Sequence, residues 1–156
     1  MLPSELKSIY LKIQNYCALA ERCEKDVCVK LKEWGVNDPD IATCMELLIA
    51  DKFVDNLRYA RFFVSDKFRL QSWGRMKIIN HLKAKNIAGQ YIASALKLEI
   101  NEDDYLNAIH QLARKKLTLL KHVNPPLLRK QKLLMFLVQK GFELDLSNKE
   151  VHALVK

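Results

Sequence analysis

Apolar residues recur every three or four positions along almost the whole of this 156-residue chain, and alternating runs of β-branched residues are missing. Such spacing turns one face of a helix toward a core and leaves the other polar, so the pattern predicts an all-α protein with no sheet. The periodic stretches predict helices over 5–20, 24–34, 39–51, 54–69, 73–86, 89–98, 102–120, 126–140 and 147–155. Start and stop residues accompany them. Asp38 before Pro39, and Asn124 before Pro125, read as N-caps followed by a first-turn proline. Ser147 with Glu150 reads as a capping box, and Asn101 opens a first turn that holds Glu102, Asp103 and Asp104. Gly35 and Gly141 read as C-terminal stops.

The pattern also repeats. When Leu31, Leu82 and Leu137 are aligned, Val27 falls on Ile78 and Leu133, and Val36 falls on Ile87 and Phe142. Gly35 then falls on Asn86 and Gly141, the residue types that accept the left-handed conformation ending a helix. Further on, Met45 falls on Leu96 and Val151. Three units of three helices result, over 1–52, 53–100 and 101–156. A unit of this size buries little core alone, so neighbours must stack. The expected architecture is an elongated, curved array of three tandem three-helix repeats, with a compact single bundle as the alternative.

Composition agrees with an ordered chain: 49% of residues are hydrophobic, and only four Gly and four Pro leave no flexible linker. The net charge of +8 is unevenly placed. Residues 1–56 hold seven basic against ten acidic groups, residues 57–98 hold nine against Asp66 alone, and residues 99–156 hold ten against seven. Within the last part, 114–132 carries seven basic groups and no acid. No stretch approaches the ~18 apolar residues of a membrane span, and the start has no leader pattern. These features predict a soluble, cytoplasmic protein with no membrane association. The spacings of Cys17, Cys23, Cys28 and Cys44 match no metal-binding pattern, and every His lies elsewhere in sequence, so reduced thiols, no metal and no cofactor are expected.

The stretch from Leu47 to Leu96 resembles the signature segment of the RecX family. A helix end carrying Leu48, Phe53, Val54 and Asp55 is followed by Arg58-Tyr59-Ala60, then by Gly74, Arg75, Lys77, Leu82, Lys85 and Ile87. The run FLVQKGFEL, 136–144, is similar to the family's closing repeat, and the resemblance covers about 10–145. Two departures are Asn56, where many members carry a second acid, and the long basic link from Lys121 to Lys132. The resemblance implies a non-enzymatic regulator that lies along the RecA recombinase filament on DNA. Such a protein restrains strand exchange, coupled ATP hydrolysis and filament extension in DNA repair and the SOS response. Some members also bind single- or double-stranded DNA, which supplies the alternative of a basic helical module whose main ligand is nucleic acid. The chain is expected to act as a monomer.

Individual residues refine this expectation. Leu57, Ala60, Val64 and Phe68 read as a core stripe, and Arg58, Phe62, Ser65 and Arg69 run down the opposite side. Phe62 could pack on the next unit or join a contact surface. Trp73, Lys77 and His81 recur every four residues opposite Ile78 and Leu82; Trp73 could stack on a partner or seal the preceding loop, and His81 reads as solvated. Arg58, Arg69, Arg75 and Lys77 are expected to make the principal contacts, helped by Arg61, Lys83 and Lys85. The third unit adds Arg114, Lys115, Lys116, Arg129, Lys130 and Lys132 as further candidates. No phosphate loop, HExxH or GxSxG is present, and Glu102, Asp103 and Asp104 diverge around a helix rather than converge on an ion.

Overall fold

A computed structural model describes residues 2–156, and over those residues it contains nine α-helices and no strand. They are α1 (Ser4–Leu19), α2 (Glu24–Glu33), α3 (Asp38–Ala50), α4 (Asn56–Gln71), α5 (Arg75–Ala84), α6 (Gly89–Glu99), α7 (Glu102–Leu119), α8 (Pro126–Gln139) and α9 (Leu144–Leu154). The all-α, triple three-helix architecture is the expected one. Helix-on-helix packing runs mainly within the triplets α1–α3, α4–α6 and α7–α9.

The recurring helix stop is real at the level of single bonds. Gly35, Asn86 and Gly141 have φ of 77°, 59° and 103°. The next N–H in each unit turns back to the aligned leucine carbonyl: Val36 to Leu31, Ile87 to Leu82 and Phe142 to Leu137, each at 3.1 Å. This is the Schellman arrangement, which satisfies carbonyls that the end of a helix would otherwise orphan. Leu31, Leu82 and Leu137 are fully buried, as are Val27, Ile78 and Leu133 beside them.

The cores are not divided equally. The first unit encloses its own cluster, including Leu6, Ile13, Val27, Leu31 and Leu48. The second and third share one continuous core, in which Phe68 and Phe142 flank Tyr105 at ring-centroid distances of 5.8 and 5.2 Å. Hydrogen bonds and ion pairs tie the first unit to the second and the second to the third; none among the described residues joins the first to the third, so the units sit in a row.

Several predicted helix starts are displaced. Asn37, not Asp38, caps α3, its side chain accepting from Asp40 N–H at 2.9 Å, and Asp38 and Pro39 lie inside the first turn. Asn124 caps nothing: α8 begins at Pro126, and the Asn124 oxygen accepts from Arg129. Asp55 caps α4 and Gly74 precedes α5, so each starts two residues later than expected. The capping box at Ser147 does not form, because α9 starts at Leu144 directly after the Gly141 stop. Ser147 is instead fully buried, its hydroxyl unpartnered, at the position that the repeat register gives to Ile41 and Ile92.

Candidate partner-binding surface

The second unit carries an excess of cations in sequence, and the structure places much of the balancing acid on its neighbours. Arg58 Nε donates to Glu21 at 2.9 Å, while its Nη atoms donate to the carbonyls of Lys52 and Phe53 at 2.9 and 3.2 Å. Lys85 reaches Asp26 at 2.6 Å, and Lys25 returns the tie to the Ala84 carbonyl at 2.7 Å. Burial alone would raise the Asp26 pKa, but the hydrogen bonds from Lys85 and Cys23 N–H outweigh it and hold the carboxyl below its usual range. On the other side, Arg75 bridges Glu143 at 2.9 Å and Glu102 at 2.5 Å and lies 3.8 Å above the Tyr105 ring. The Tyr105 hydroxyl accepts from Arg75 N–H at 2.9 Å and donates to Glu143. Burial, reinforced by that carboxylate, raises its pKa far above the ordinary phenol value, so Tyr105 stays protonated. Arg61 clamps α4 to α6 through Glu99 at 3.0 Å.

Arg58 and Arg75 were both expected to make principal contacts, Arg58 from the outer side of its helix, but in the structure their guanidinium forks hold the units together. Lys85 is engaged the same way. Arg69 and Lys83 remain exposed without an ion pair, and Phe62 stays 56% exposed rather than packing on the next unit. The core stripe is also shifted: Tyr59 is buried where Leu57 is only partly so.

A cationic aromatic patch survives these pairings, around Trp73. The ring is half-buried and packs against the shared core, with Phe63 at 6.1 Å and His81 at 4.7 Å between centroids. Lys77 Nζ lies 4.2 Å and Lys67 Nζ 5.0 Å from its centroid. Lys140 approaches from α8 and donates to the Gln71 carbonyl at 2.8 Å. Burial, with Lys77 close by, lowers its pKa. Among the described residues, the ion pair made by this group is Lys67 with Asp66, at 3.9 Å. Lys67, Phe63 and Lys140 were not singled out in the sequence, because Ser72 in the left-handed conformation folds Trp73 back over α4 and the third unit delivers Lys140. His81, read as solvated, is exposed but lies against the indole with the two rings tilted by 56°, and it stacks on Phe63 at 6.3 Å between centroids.

In the third unit Arg114, Lys115 and Lys132 are exposed. Lys116 lies 4.9 Å over Phe136, and Arg129 is turned inward to the Val123 carbonyl at 3.1 Å. Lys130 rims a hollow between α8 and α9. All four cysteines are free thiols, and burial raises the pKa of Cys17, Cys23 and Cys44.

Stacked three-helix units define an all-α helical-repeat protein. The model for "RecX, second three-helix domain" matches residues 55–96, and that for "RecX, third three-helix domain" matches 102–149. The chain belongs to the RecX family. It is 32% identical over 123 residues to the regulatory protein RecX of Clostridium acetobutylicum, covering 78% of this chain and 56% of that protein. The Clostridium perfringens (strain 13) protein is 31% identical over 134 residues, with 85% and 62% covered. The chain thus spans 56% and 62% of the length of these two relatives. The Prosthecochloris aestuarii protein is 27% identical over 143 residues, with 92% and 91% covered. Among solved structures, RecX from Lactobacillus salivarius superposes with a TM-score of 0.85 at 22% identity, 98% of each chain being covered. A second regulatory protein RecX gives 0.84 at 23% identity, covering 96% of this chain and 72% of that one. No helix of the described chain is long and apolar enough to cross a membrane.

Proposed function

We propose that this chain is a monomeric, cytoplasmic, non-enzymatic regulator that binds the RecA–DNA filament and restrains its ATP hydrolysis and extension. Family membership supports the partner. The observation that carries the site is the Lys67–Trp73–Lys77–His81 patch, with Lys140 at its edge, where cations remain after the internal pairings of Arg58, Arg75 and Lys85. An indole with ammonium groups around it suits an acidic protein groove, and Arg69 and Lys83 extend the cationic surface. The units proposed for this work are 1–52, 53–100 and 101–156, the second carrying the principal contacts.

The same patch favours a second reading, direct binding of single-stranded DNA, since a base stacks on an aromatic face while lysines hold phosphates. The test is filament-dependent ATP hydrolysis at physiological salt with sub-stoichiometric protein. Inhibition by the unmodified chain, reduced roughly tenfold or more in potency by Lys67→Glu with Lys77→Glu, supports the regulator. Unchanged hydrolysis, with DNA binding whose log K falls against log salt at a slope near −3 to −4, supports the nucleic-acid reading.

A further inference from the structure

Helix α8 is more apolar than its own unit requires. Leu133 and Leu137 fill the core completely. Gln131 and Leu134 turn to the side on which α9 lies, with Leu127 one turn before Gln131 on the same helical face, while Val138 at the far end borders α5 instead. Leu127 is 65% and Val138 41% exposed, and Leu134 is partly buried. Between this face and α9 is a hollow of about 450 Å³, floored by Leu134 and Val151. Its rim is Lys130 on one wall and Lys149 and His152 on the other, with Gln131 and Asn148 between and no carboxylate in the lining.

We propose that this hollow docks an acidic amphipathic helix of a partner protein. The apolar floor of Leu134 and Val151 takes an apolar side chain of the incoming helix, and exposed Leu127 on the same face of α8 offers a further apolar contact for helix-in-groove recognition. The basic rim then selects glutamate or aspartate on the solvent side of the incoming helix. Nucleic acid fits poorly: the lining offers no Phe, Tyr or Trp face for a base and no arginine fork for a phosphate. The surface is separate from the Trp73 patch, and it stands or falls without the recombinase reading.

The experiment uses the full chain and fluorescence anisotropy. The probe is a labelled peptide of about fourteen residues with leucines spaced i, i+3, i+4, i+7 and glutamates elsewhere. A scrambled peptide of equal composition and an oligo-dT of equal length are the comparisons. The patterned peptide is expected to bind at least tenfold tighter than the scrambled one. Lys130→Glu with Lys149→Glu is expected to lower its affinity tenfold or more while the circular dichroism melt stays unchanged. If the reversal perturbs folding, Lys130→Ala with Lys149→Ala reports the same loss. Equal binding of patterned and scrambled peptides overturns the proposal, as does indifference to the rim variants. A loss of oligo-dT binding as large as the loss of peptide binding also overturns it, because the rim would then be a general polyanion surface.

Discussion

Gly74 and Gly141 lie backbone against backbone: Gly74 N–H donates to the Lys140 carbonyl at 2.8 Å, and Met76 N–H donates to the Gly141 carbonyl at 2.9 Å. A Cβ on Gly74 would stand 2.3 Å from the Gly141 carbonyl carbon, and one on Gly141 would stand 2.4 Å from Lys77 Cβ. The residue that stops α8 therefore also docks the third unit on the start of α5.

Gly74→Ala is expected to destabilise the chain by about 1–3 kcal/mol, because the added methyl meets backbone that cannot step aside. Gly89→Ala is the control. Its Cβ would meet nothing within 4 Å, and in a helix it should be neutral or gain up to about 1 kcal/mol. Thermal melts of the two variants check this, and equal melting temperatures would show that the junction yields.

Arg58→Glu and Arg69→Glu should behave oppositely. Arg58 faces Glu21 and two carbonyls, so reversal sets carboxylate against carboxylate and loosens the joint between the first two units. Arg69 has no ion-pair partner, and its reversal should change stability by no more than about 0.5 kcal/mol while weakening partner binding. Urea melts beside a titration of ATPase inhibition separate the two effects.

Ser147→Ala should be neutral or stabilise by about 1 kcal/mol. Its hydroxyl is buried without a partner, a state that costs about 1–3 kcal/mol, and neighbouring units place isoleucine at this register. The melting temperature should hold or rise by about 2–4 °C. A fall would mean that the hydroxyl has a partner in solution.

Acid should loosen the first joint before the second. The depressed Asp26 pKa contributes stability that is present above the ordinary value of 3.8 and is lost as pH falls through the folded one. The Lys85 pKa is raised by the Asp26 hydrogen bond against opposing burial, so its contribution is complete below 10.5 and is lost as pH rises through the folded value. The second joint has in addition its backbone bonds and the packed rings of Phe68, Tyr105 and Phe142, which do not depend on carboxylate charge. Hydrogen exchange below about pH 4 should deprotect Glu24 N–H, held by Asn56 Oδ1 at 2.9 Å, before Gly74 N–H. The reverse order would place the weaker joint at the glycines.

The sequence by itself determined what is local. Period-3.6 hydrophobicity specifies helices, and glycine or asparagine after an aligned leucine specifies the left-handed turn, so Gly35, Asn86 and Gly141 and the buried leucines before them were all legible. Ser147 misled because a serine followed three residues later by glutamate has the same local signature whether it caps a helix or fills a core. Only the tertiary structure decided which charges are free. An arginine expected at a contact surface looks solvent-directed until another unit brings Glu21 to Arg58 or Glu143 to Arg75, partners 37 and 68 residues away. Hydrophobic spacing is a property of one helix, whereas charge neutralisation depends on which helices meet. For that reason the architecture and the Trp73, Lys77 and His81 row could be read along the chain, while the arrival of Lys140 beside that row and the α8–α9 hollow emerged only after the helices were packed.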